Sequence, residues 1–308
     1  MPAHPRKVAL FCPAKVNLAL SVGAPTATPR GLLHPLASWM VAVTFGDDLE
    51  VAEAAGIASR FDLAFAKDAP RHGQVDWPLE KDLCWRAHAA MEAHTGRHLP
   101  VQLTLRKRIP AGAGLGGGSS DAAATLVAID RLFELHLEES VLLELGAGLG
   151  SDVPFLVGAL RGRPSAIVSG LGEQMEPVAP QSAIPMVLIL PSFPCPTGAV
   201  YQAYDRLNPP ATLAGRPDLP RVRALAGERQ VLPGAPFNDL AEPACEVRPE
   251  LGALRAQIST ALGLPVHVSG SGSTLFLVLA SADAAEASVH RVAALTGLPT
   301  LATRVISR

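Results

Sequence analysis

Cysteine is scarce in this sequence of 308 residues, and no two cysteines stand close together. The four of them are far apart and form no Cys-x-x-Cys pair; they are Cys12, Cys84, Cys195 and Cys245. This spacing argues against a structural zinc site and against a disulfide framework. We therefore expect a protein of a reducing compartment, the cytoplasm.

Long apolar runs and basic blocks are missing as well. Residues 8–11 are too short for a signal-peptide core, and residues 184–190 fall far below the roughly 20 residues of a membrane-spanning helix. The 26 basic and 28 acidic residues give a formal net charge of -2 without a basic cluster, which argues against a nucleic-acid partner. We expect a cytoplasmic protein that binds neither membranes nor nucleic acid. We expect it to be a monomer or a weak homodimer.

The composition that remains is that of a globular protein with frequent turns. Hydrophobic residues make up 48% and charged residues 18%, so the chain can bury a large core. In the last third, strand and helix patterns alternate in the β-α-β-β-α-β order of a ferredoxin-like domain. They cover residues 186–190, 198–207, 249–262, 266–268, 275–279, 284–295 and 300–306. We expect an α+β protein with domains at residues 1–170 and 171–308.

A glycine-rich segment at residues 110–121, Pro-Ala-Gly-Ala-Gly-Leu-Gly-Gly-Gly-Ser-Ser-Asp, carries the strongest chemical signal. It follows a predicted strand at residues 101–105 and leads into a predicted helix at residues 119–135. Glycines let the backbone approach a ligand, and the amides of such a turn and of a helix N-terminus attract phosphate. The hydroxyls of Ser119 and Ser120 can contact phosphate oxygens or Mg²⁺. The segment therefore predicts a phosphate-binding loop, which we call the glycine loop.

Other interpretations of the glycine loop are weaker. A flexible linker would not be followed directly by an alanine-rich helical pattern. Gly112, Gly114 and Gly117 match the dinucleotide fingerprint, but that fold needs an acidic residue at a strand end about 20 residues further on. Here Glu138 and Glu139 lie in a polar segment past the helix. The Walker sequence and the protein-kinase motifs are absent.

Three segments in fixed order resemble the GHMP kinases, named for galactokinase, homoserine kinase, mevalonate kinase and phosphomevalonate kinase. They are Pro-Ala-Lys-Val-Asn-Leu at residues 13–18, the glycine loop, and Gly-Ser-Gly-Ser at residues 270–273. The resemblance covers essentially the whole chain. It implies a two-domain fold with a ribosomal-protein-S5-domain-2-like α/β N-terminal domain and a ferredoxin-like C-terminal domain. It also implies phosphorylation of an alcohol by ATP, with Mg²⁺ carried by ATP and no metal site of the protein's own.

Further strings are similar to those of the GHMP kinases that act on a cytidine diphosphate-linked polyol in the non-mevalonate isoprenoid pathway. They are Lys-Arg-Ile-Pro at residues 107–110, Gly-Ser-Asp-Val-Pro-Phe at 150–155, Gly-Leu-Gly-Glu at 170–173 and Phe-Asn-Asp-Leu at 237–240. By this resemblance Asp152 would accept the proton of the substrate hydroxyl. Lys15 would lie beside it, keeping the carboxylate ionised and stabilising the alkoxide.

The resemblance also implies the residues that bind the two substrates. ATP would be bound by Pro110, Gly112, Gly114, Leu115, Gly116, Gly117, Gly118, Ser119 and Ser120, with Asp82, Leu83 and Lys107 around adenine and ribose. The second substrate would be bound by Asn17, His34, Tyr201, Asp152, Gly270 and Ser271. Tyr201 would stack on the pyrimidine and His34 would hydrogen-bond to its edge. The chain has Leu33 where these kinases usually have tyrosine, and Asp82 where they commonly have asparagine.

Residue types alone leave plainer roles open. Asp152 could be only a helix cap or a turn residue, and Lys15 a solvated strand residue. Tyr201 could be an ordinary core aromatic and His34 a capping histidine. At the level of function, another GHMP kinase of the homoserine or mevalonate type is an alternative, and so is a catalytically silent metabolite-binding member. A silent member would be expected to lose Asp152 or Lys15, and this chain has both.

Overall fold

The computed structural model describes residues 6–28, 31–73, 75–179, 182–209 and 212–307. The chain forms two compact units, each built from separate stretches of sequence. Unit 1 contains Met1–Ala14, Phe45–Pro110 and Gly116–Gly162. Unit 2 contains Lys15–Thr44, Ala111–Leu115 and Arg163–Arg308. The division into continuous domains at residues 1–170 and 171–308 stays a prediction.

Helices and strands are mixed along the chain, which confirms the α+β class. The strands are β1 Lys7–Val22, β2 Thr26–Thr28, β3 Gly31–Leu33, β4 Leu36–Glu53, β5 Arg60–Phe65, β6 Val101–Lys107, β7 Ser165–Gly170, β8 Gln174–Pro177, β9 Pro185–Ile189, β10 Phe237–Asn238, β11 His267–Val268, β12 Leu275–Val278 and β13 Thr300–Arg304. The helices are α1 Leu83–Thr95, α2 Gly117–Leu132, α3 Glu139–Leu149, α4 Val153–Leu160, α5 Thr197–Leu207, α6 Leu219–Ala226, α7 Ala241–Val247, α8 Pro249–Leu262 and α9 Ala282–Thr296.

Unit 1 packs four helices and a small group of strands. Strand β6 pairs antiparallel with the second half of β4 and parallel with β5. Helix α2 packs against α1, α3 and α4, and its run of alanines, Ala122 to Ala124, is fully buried. Small side chains let the neighbouring helices approach closely, so α2 forms the centre of this unit.

Unit 2 contains the ferredoxin-like element order predicted for the last third of the chain. Its four-stranded sheet has the order β11-β12-β9-β13, and all its pairings are antiparallel. Helix α9 packs on β9 and β13, and β9 is buried from Met186 to Ile189. In the same unit the first half of β4 pairs with β7, and the end of β1 pairs parallel with β10. The four strands and helix α9 therefore follow the predicted order, whereas α5, α6, β10, α7 and α8 stand between β9 and β11, where the ferredoxin-like pattern has one helix.

One stretch differs from its sequence-based expectation. The proline-rich residues 208–220 read as an exposed loop, of which residues 210 and 211 lie outside the described part of the chain. Leu213 is buried, however, and Arg216 forms an ion pair with Asp239 at 2.6 Å. Helix α6 then begins at Leu219. The exposed-loop prediction still holds for most of the described stretch. It misses Leu213, the ion pair of Arg216 and the start of α6, because local composition does not report a contact with a residue more than 20 positions away.

Candidate functional site

The glycine loop has a backbone that only glycine adopts readily. Gly112, Gly114 and Gly116 have φ values of 68°, 76° and 67°, in the left-handed region where a side chain is unfavourable. A Cβ on Gly114 would lie 2.4 Å from the carbonyl oxygen of Ser269 and 2.7 Å from that of Gly272. The backbone N–H of Thr274 donates to the carbonyl of Ala113 at 3.0 Å. The glycine loop and the Gly-Ser-Gly-Ser segment are therefore in direct contact within unit 2.

The first motif lies against the same two segments. The backbone N–H of Lys15 donates to the carbonyl of Leu115 at 2.9 Å, and its Nζ donates to Asn17 Oδ1 at 2.7 Å. A Cβ on Gly270 would lie 3.0 Å from Lys15 Nζ. Lys15 is only 5% exposed, so the interpretation of it as a solvated strand residue is wrong. The structure thus brings parts of all three resemblance motifs together in unit 2, namely Lys15 and Asn17, residues 113–115 and residues 269–274.

The amide of Asn17 is held from a second side as well. Its Nδ2 donates to Ser38 Oγ at 2.8 Å, and that hydroxyl donates to the carbonyl of Ala19 at 2.7 Å. Ser271, another predicted substrate residue, shares a hydrogen bond of 3.0 Å with the hydroxyl of Thr197 at the start of α5. These contacts hold the predicted substrate residues in place from β1, β4 and α5.

Helix α2 opens directly from the glycine loop, two residues earlier than the pattern predicted. Gly116 is its N-cap, and Gly117, Gly118 and Ser119 open its first turn, whereas the N–H of Ser120 already donates to the carbonyl of Gly116 at 2.9 Å. Such a turn presents backbone N–H groups without intrahelical partners and the positive end of the helix dipole. Ser120 Oγ is fully buried and has no hydrogen-bond partner among the described residues. This end of α2 has the donors that a phosphate group requires.

Lys107 lies in the core because of the strand alternation of β6. Val101, Leu103 and Leu105 are buried and the residues between them are not, so Lys107 comes to lie on the same inward face. Its ammonium donates to Asp47 Oδ2 at 2.7 Å and to Asp121 Oδ2 at 2.5 Å. All three side chains are almost completely buried. We call this group the buried triad; a contact of Lys107 with adenine or ribose stays a prediction.

The charges of the buried triad do not balance, since two carboxylates face one ammonium. Burial raises the pKa of Asp121 to about 8; Lys107 opposes this rise and Asp47 adds to it. Burial opposes the charge of Lys107, but the two carboxylates outweigh it and raise the pKa of that ammonium. The thiols of Cys12 and Cys84 also face Asp121, and burial raises the pKa of both, so they stay neutral. The raised pKa of Asp121 therefore favours a proton on this carboxyl near neutral pH.

We expect the stability of the protein to fall as the pH rises towards 8 because of this proton. Between the ordinary pKa of an aspartate, 3.8, and the value of about 8 for Asp121, the folded state binds a proton that the unfolded state lacks. The free energy of unfolding then drops with rising pH by up to about 1 kcal/mol per pH unit. Asp121→Asn should flatten this dependence, measured by urea unfolding over that pH range.

The exposed Asp76 provides the control for this pH series. Asp76→Asn changes the same chemical group on the surface and should keep the wild-type slope. An unchanged slope in Asp121→Asn would show that the proton is held elsewhere.

The predicted nucleotide residues Asp82 and Leu83 lie at the start of α1. Asp82 caps this helix, with Oδ1 accepting from the N–H of Cys84 at 2.8 Å. Its Oδ2 accepts from Trp77 Nε1 at 2.8 Å. Leu83 packs beside the first turn of α2, since a Cβ on Gly118 would lie 3.3 Å from its Cδ1. The start of α1 and the start of α2 therefore lie close together within unit 1.

Asp152 directly precedes α4. It occupies the N-cap position with φ -87° and ψ -14°, yet among the described residues its side chain makes no capping hydrogen bond. Pro154 in the first turn fits the start of a helix. Capping therefore does not account for the aspartate. Asp152 belongs to unit 1 and Lys15 to unit 2, and their joint action stays a prediction.

His34 and Tyr201 lie together in unit 2. Their ring centroids are 5.0 Å apart. His34 Nδ1 lies 3.0 Å from the carbonyl oxygen of Gly23, so this nitrogen is the donor, and Nε2 lies 3.4 Å from Asp205 Oδ1. The imidazole is thus oriented from two sides beside the tyrosine ring. Leu33 precedes it at the end of β3 and is half-buried.

The described residues contain no cluster of three or more His, Cys, Asp or Glu side chains that could hold a metal ion. His94 and His98 have the i, i+4 spacing of two metal ligands on a helix. His98 Nδ1, however, lies 2.7 Å from Glu92 Oε1, and its Nε2 contacts the carbonyl oxygen of Ile57. Across the described ranges no helix has the length and apolarity needed to traverse a lipid bilayer.

Sequence reasoning missed Asp47 and Asp121, the partners of Lys107. Asp47 Oδ1 accepts from the backbone N–H groups of Arg108 and Ile109, the latter at 2.7 Å. A signal was present, because the alternation of β6 places Lys107 in the core, and a buried ammonium requires carboxylate partners. The identity of those partners depends on pairings across 60 and 14 residues, which local patterns do not reveal.

Comparisons with known proteins agree with this geometry. Residues 82–159 match the family described as GHMP kinases N terminal domain. The chain is 34% identical over 271 residues to 4-diphosphocytidyl-2-C-methyl-D-erythritol kinase of Carboxydothermus hydrogenoformans, covering 87% of this chain and 86% of that protein. A crystal structure of 4-(cytidine 5'-diphospho)-2C-methyl-D-erythritol kinase is similar with a TM-score of 0.74 and 31% identity, over 97% of this chain and 100% of that one.

A more distant likeness extends to homoserine kinase from Cytophaga hutchinsonii. Its crystal structure has a TM-score of 0.64 and 14% identity, over 98% of this chain and 95% of that one. At this identity the likeness concerns the fold alone.

Proposed function

Because the chain belongs to the GHMP kinases, in the group of the 4-diphosphocytidyl-2-C-methyl-D-erythritol kinases, we propose that it phosphorylates the 2-hydroxyl of 4-diphosphocytidyl-2-C-methyl-D-erythritol with ATP. This reaction belongs to the non-mevalonate pathway of isoprenoid precursors. The observation that carries the proposal is the contact of Lys15 and Gly114 with the segment 269–272. These are the three motifs of the resemblance.

The glycine loop and the start of α2 suit the phosphates of ATP. The left-handed glycines keep side chains away from the loop backbone, and the first turn of α2 presents its N–H groups. The buried hydroxyl of Ser120, unpartnered in the described part of the chain, is a further donor. ATP supplies the transferred phosphoryl group, and Mg²⁺ bound to its phosphates neutralises their charge. Asp82, Leu83 and Lys107 are proposed to surround adenine and ribose.

Phosphoryl transfer depends on positioning and on charge more than on covalent chemistry of the protein. Asp152 is the proposed base that accepts the proton of the substrate hydroxyl. Lys15 is the proposed cation that stabilises the developing negative charge, and the hydrogen bond from its Nζ to Asn17 orients it. Gly270 leaves room for that ammonium, since a Cβ there would lie 3.0 Å from it.

Tyr201 and His34 are the proposed residues for the cytidine end of the substrate. The half-buried ring of Tyr201 has a face of the size of a pyrimidine, and aromatic rings stack on bases. Leu33 replaces the tyrosine usual in this group and supplies apolar contact without a hydroxyl. Asn17, Gly270 and Ser271 complete the proposed substrate residues.

We expect Tyr201→Ala to raise the KM for the cytidyl substrate by about 5- to 150-fold, since stacking on a base contributes roughly 1–3 kcal/mol. The KM for ATP should not change. Steady-state kinetics with each substrate varied in turn provide the measurement. Tyr201→Phe keeps the ring and should stay within a few-fold of wild type; an equal loss in both variants would point to the hydroxyl and not to stacking.

ADP release by the purified protein with Mg-ATP tests the proposed function. The cytidyl substrate is compared with homoserine and with mevalonate, and the product is identified by mass spectrometry and ³¹P NMR. Turnover of the cytidyl substrate alone is the expected result. Turnover of another alcohol would overturn the substrate, and ATP binding without turnover of any of the three would favour a silent metabolite-binding member.

A further inference from the structure

The string Phe237-Asn238-Asp239 is shared with the GHMP kinases that this chain resembles, and none of its residues has a proposed role in binding or catalysis. Asn238 lies on β10, where it is paired with Leu20 near the end of β1. Strand β1 also carries Lys15 and Asn17. Asn238 therefore lies on the strand that pairs directly with β1, the strand of Lys15.

The amide of Asn238 uses all its main hydrogen-bonding directions within unit 2. Its Nδ2 donates to the carbonyl oxygens of Val268 at 2.8 Å and Gly270 at 2.7 Å. Its Oδ1 accepts from the N–H of Leu240 at 2.8 Å. One side chain thus links β10 to the turn that follows β11. Only an amide offers two N–H donors and a carbonyl acceptor in this arrangement.

The residue that Asn238 holds, Gly270, lies beside the ammonium of Lys15. Gly270 has φ 56°, and a Cβ on it would lie 3.0 Å from Lys15 Nζ, 3.3 Å from Asn17 Oδ1 and 3.3 Å from the carbonyl oxygen of Gly114. A shift of Gly270 would therefore displace the ammonium or the glycine loop. Buried groups in van der Waals contact cannot move independently, because interiors are close-packed.

We infer that Asn238 is a positioning residue for phosphoryl transfer, which acts by fixing Gly270 against Lys15 and Gly114. The inference rests on the proposed function. Asn238 acts without contact to the reacting atoms. It sets the position of the Lys15 ammonium and of the glycine loop through its hydrogen bond to the carbonyl of Gly270. Small displacements of positioned groups cost up to about 100-fold in rate, so loss of the amide should lower kcat.

Asn238→Asp provides the sharpest test, because it keeps the shape and replaces the donor by a carboxylate facing two carbonyl oxygens. We expect kcat to fall by about 10- to 100-fold with the KM for the cytidyl substrate changed much less. The repulsion also raises the pKa of the new carboxyl, and the protonated acid can donate one hydrogen bond. The ratio of variant to wild-type kcat should therefore rise as the pH is lowered.

Asn238→Ser is the second variant, and Asn208→Asp is the control. The serine variant loses the two hydrogen bonds without adding charge, so its kcat should be low at every pH. Asn208 Nδ2 donates to the carbonyl of Tyr204 at 3.0 Å at the end of α5, and its replacement removes a similar hydrogen bond elsewhere. Asn208→Asp should keep the wild-type kcat. Thermal unfolding is recorded for all variants.

The outcomes separate the inference from its premise. Wild type without turnover of the cytidyl substrate removes the proposed function and the inference with it. Active wild type with unchanged kcat in both Asn238 variants overturns the inference alone. Two other results also overturn the inference, because the role of Asn238 is then structural. In one, both variants are unfolded; in the other, the ratio of Asn238→Asp kcat to wild-type kcat is independent of pH.

Discussion

Asp152→Asn is expected to lower kcat by about 1,000-fold while ATP binding stays near the wild-type level. A positioned general base contributes roughly 100- to 10,000-fold to a reaction rate, and the amide cannot accept a proton at neutral pH. The substitution keeps the size of the side chain. Asp152 makes no capping hydrogen bond within the described residues, so the substitution should not remove a cap from α4. The measurement is kcat from ADP release, with ATP affinity determined by calorimetry.

Asp218→Asn is the matched control for this experiment. Asp218 also precedes a helix with a proline in its first turn, and its side chain caps that helix by accepting from the N–H of Arg221 at 3.0 Å. Asparagine caps helices as well as aspartate does, so this variant should keep full activity. A kcat of Asp152→Asn within a few-fold of wild type would assign the base to another residue.

Gly114→Ala is expected to be the most damaging change in the glycine loop. A non-glycine residue in the left-handed region costs roughly 1–2 kcal/mol, and the new Cβ would lie 2.4 Å and 2.7 Å from two carbonyl oxygens. Both are backbone atoms, which cannot rotate away as a flexible side chain can. We expect a total loss of about 3 kcal/mol or more in the free energy of unfolding, together with weaker ATP binding.

Gly297→Ala separates the two contributions. Gly297 ends α9 with φ 68°, and a Cβ there would meet no heavy atom within 4 Å. It should therefore show only the backbone cost, a lowering of about 1–2 kcal/mol, with ATP binding unaltered. Urea unfolding and calorimetry provide both quantities. If the two variants are equally stable, the contact of Gly114 with the segment 269–272 is looser than the structure shows.

Local signals predicted several elements closely. The pattern of residues 82–93 predicts a helix that Asp82 caps and that ends near Gly96, and α1 has these two residues as its caps. Helix α8 begins at Pro249 and ends at Leu262 as predicted, since a proline at the start and a glycine after the end are strong signals. The glycine loop was recognisable because its glycines are required by the local backbone conformation, which the sequence shows directly, and not by contacts with distant residues.

The parts that local patterns missed depend on contacts between distant residues. The short helix α4 begins right after Asp152, yet its eight residues are too few for a helical period to show. Arg216 is ordered by Asp239, and the charge of Lys107 is balanced by Asp47 and Asp121. The roles of Asp152 as base and of Lys15 as stabilising cation were inferred from the resemblance, because the residues next to them in the sequence do not indicate these roles.

The contact between Gly114 and Ser269 also bears on how the protein is made. The hydroxyl of Ser269 donates to the carbonyl of Gly114 across 155 residues. A ribosome adding roughly 5–20 residues per second needs about 8–30 s to produce the second partner after the first. During this interval the nascent glycine loop lacks the segment that supports it. Competence to bind nucleotide is thus acquired late in synthesis, once the C-terminal third has emerged and folded.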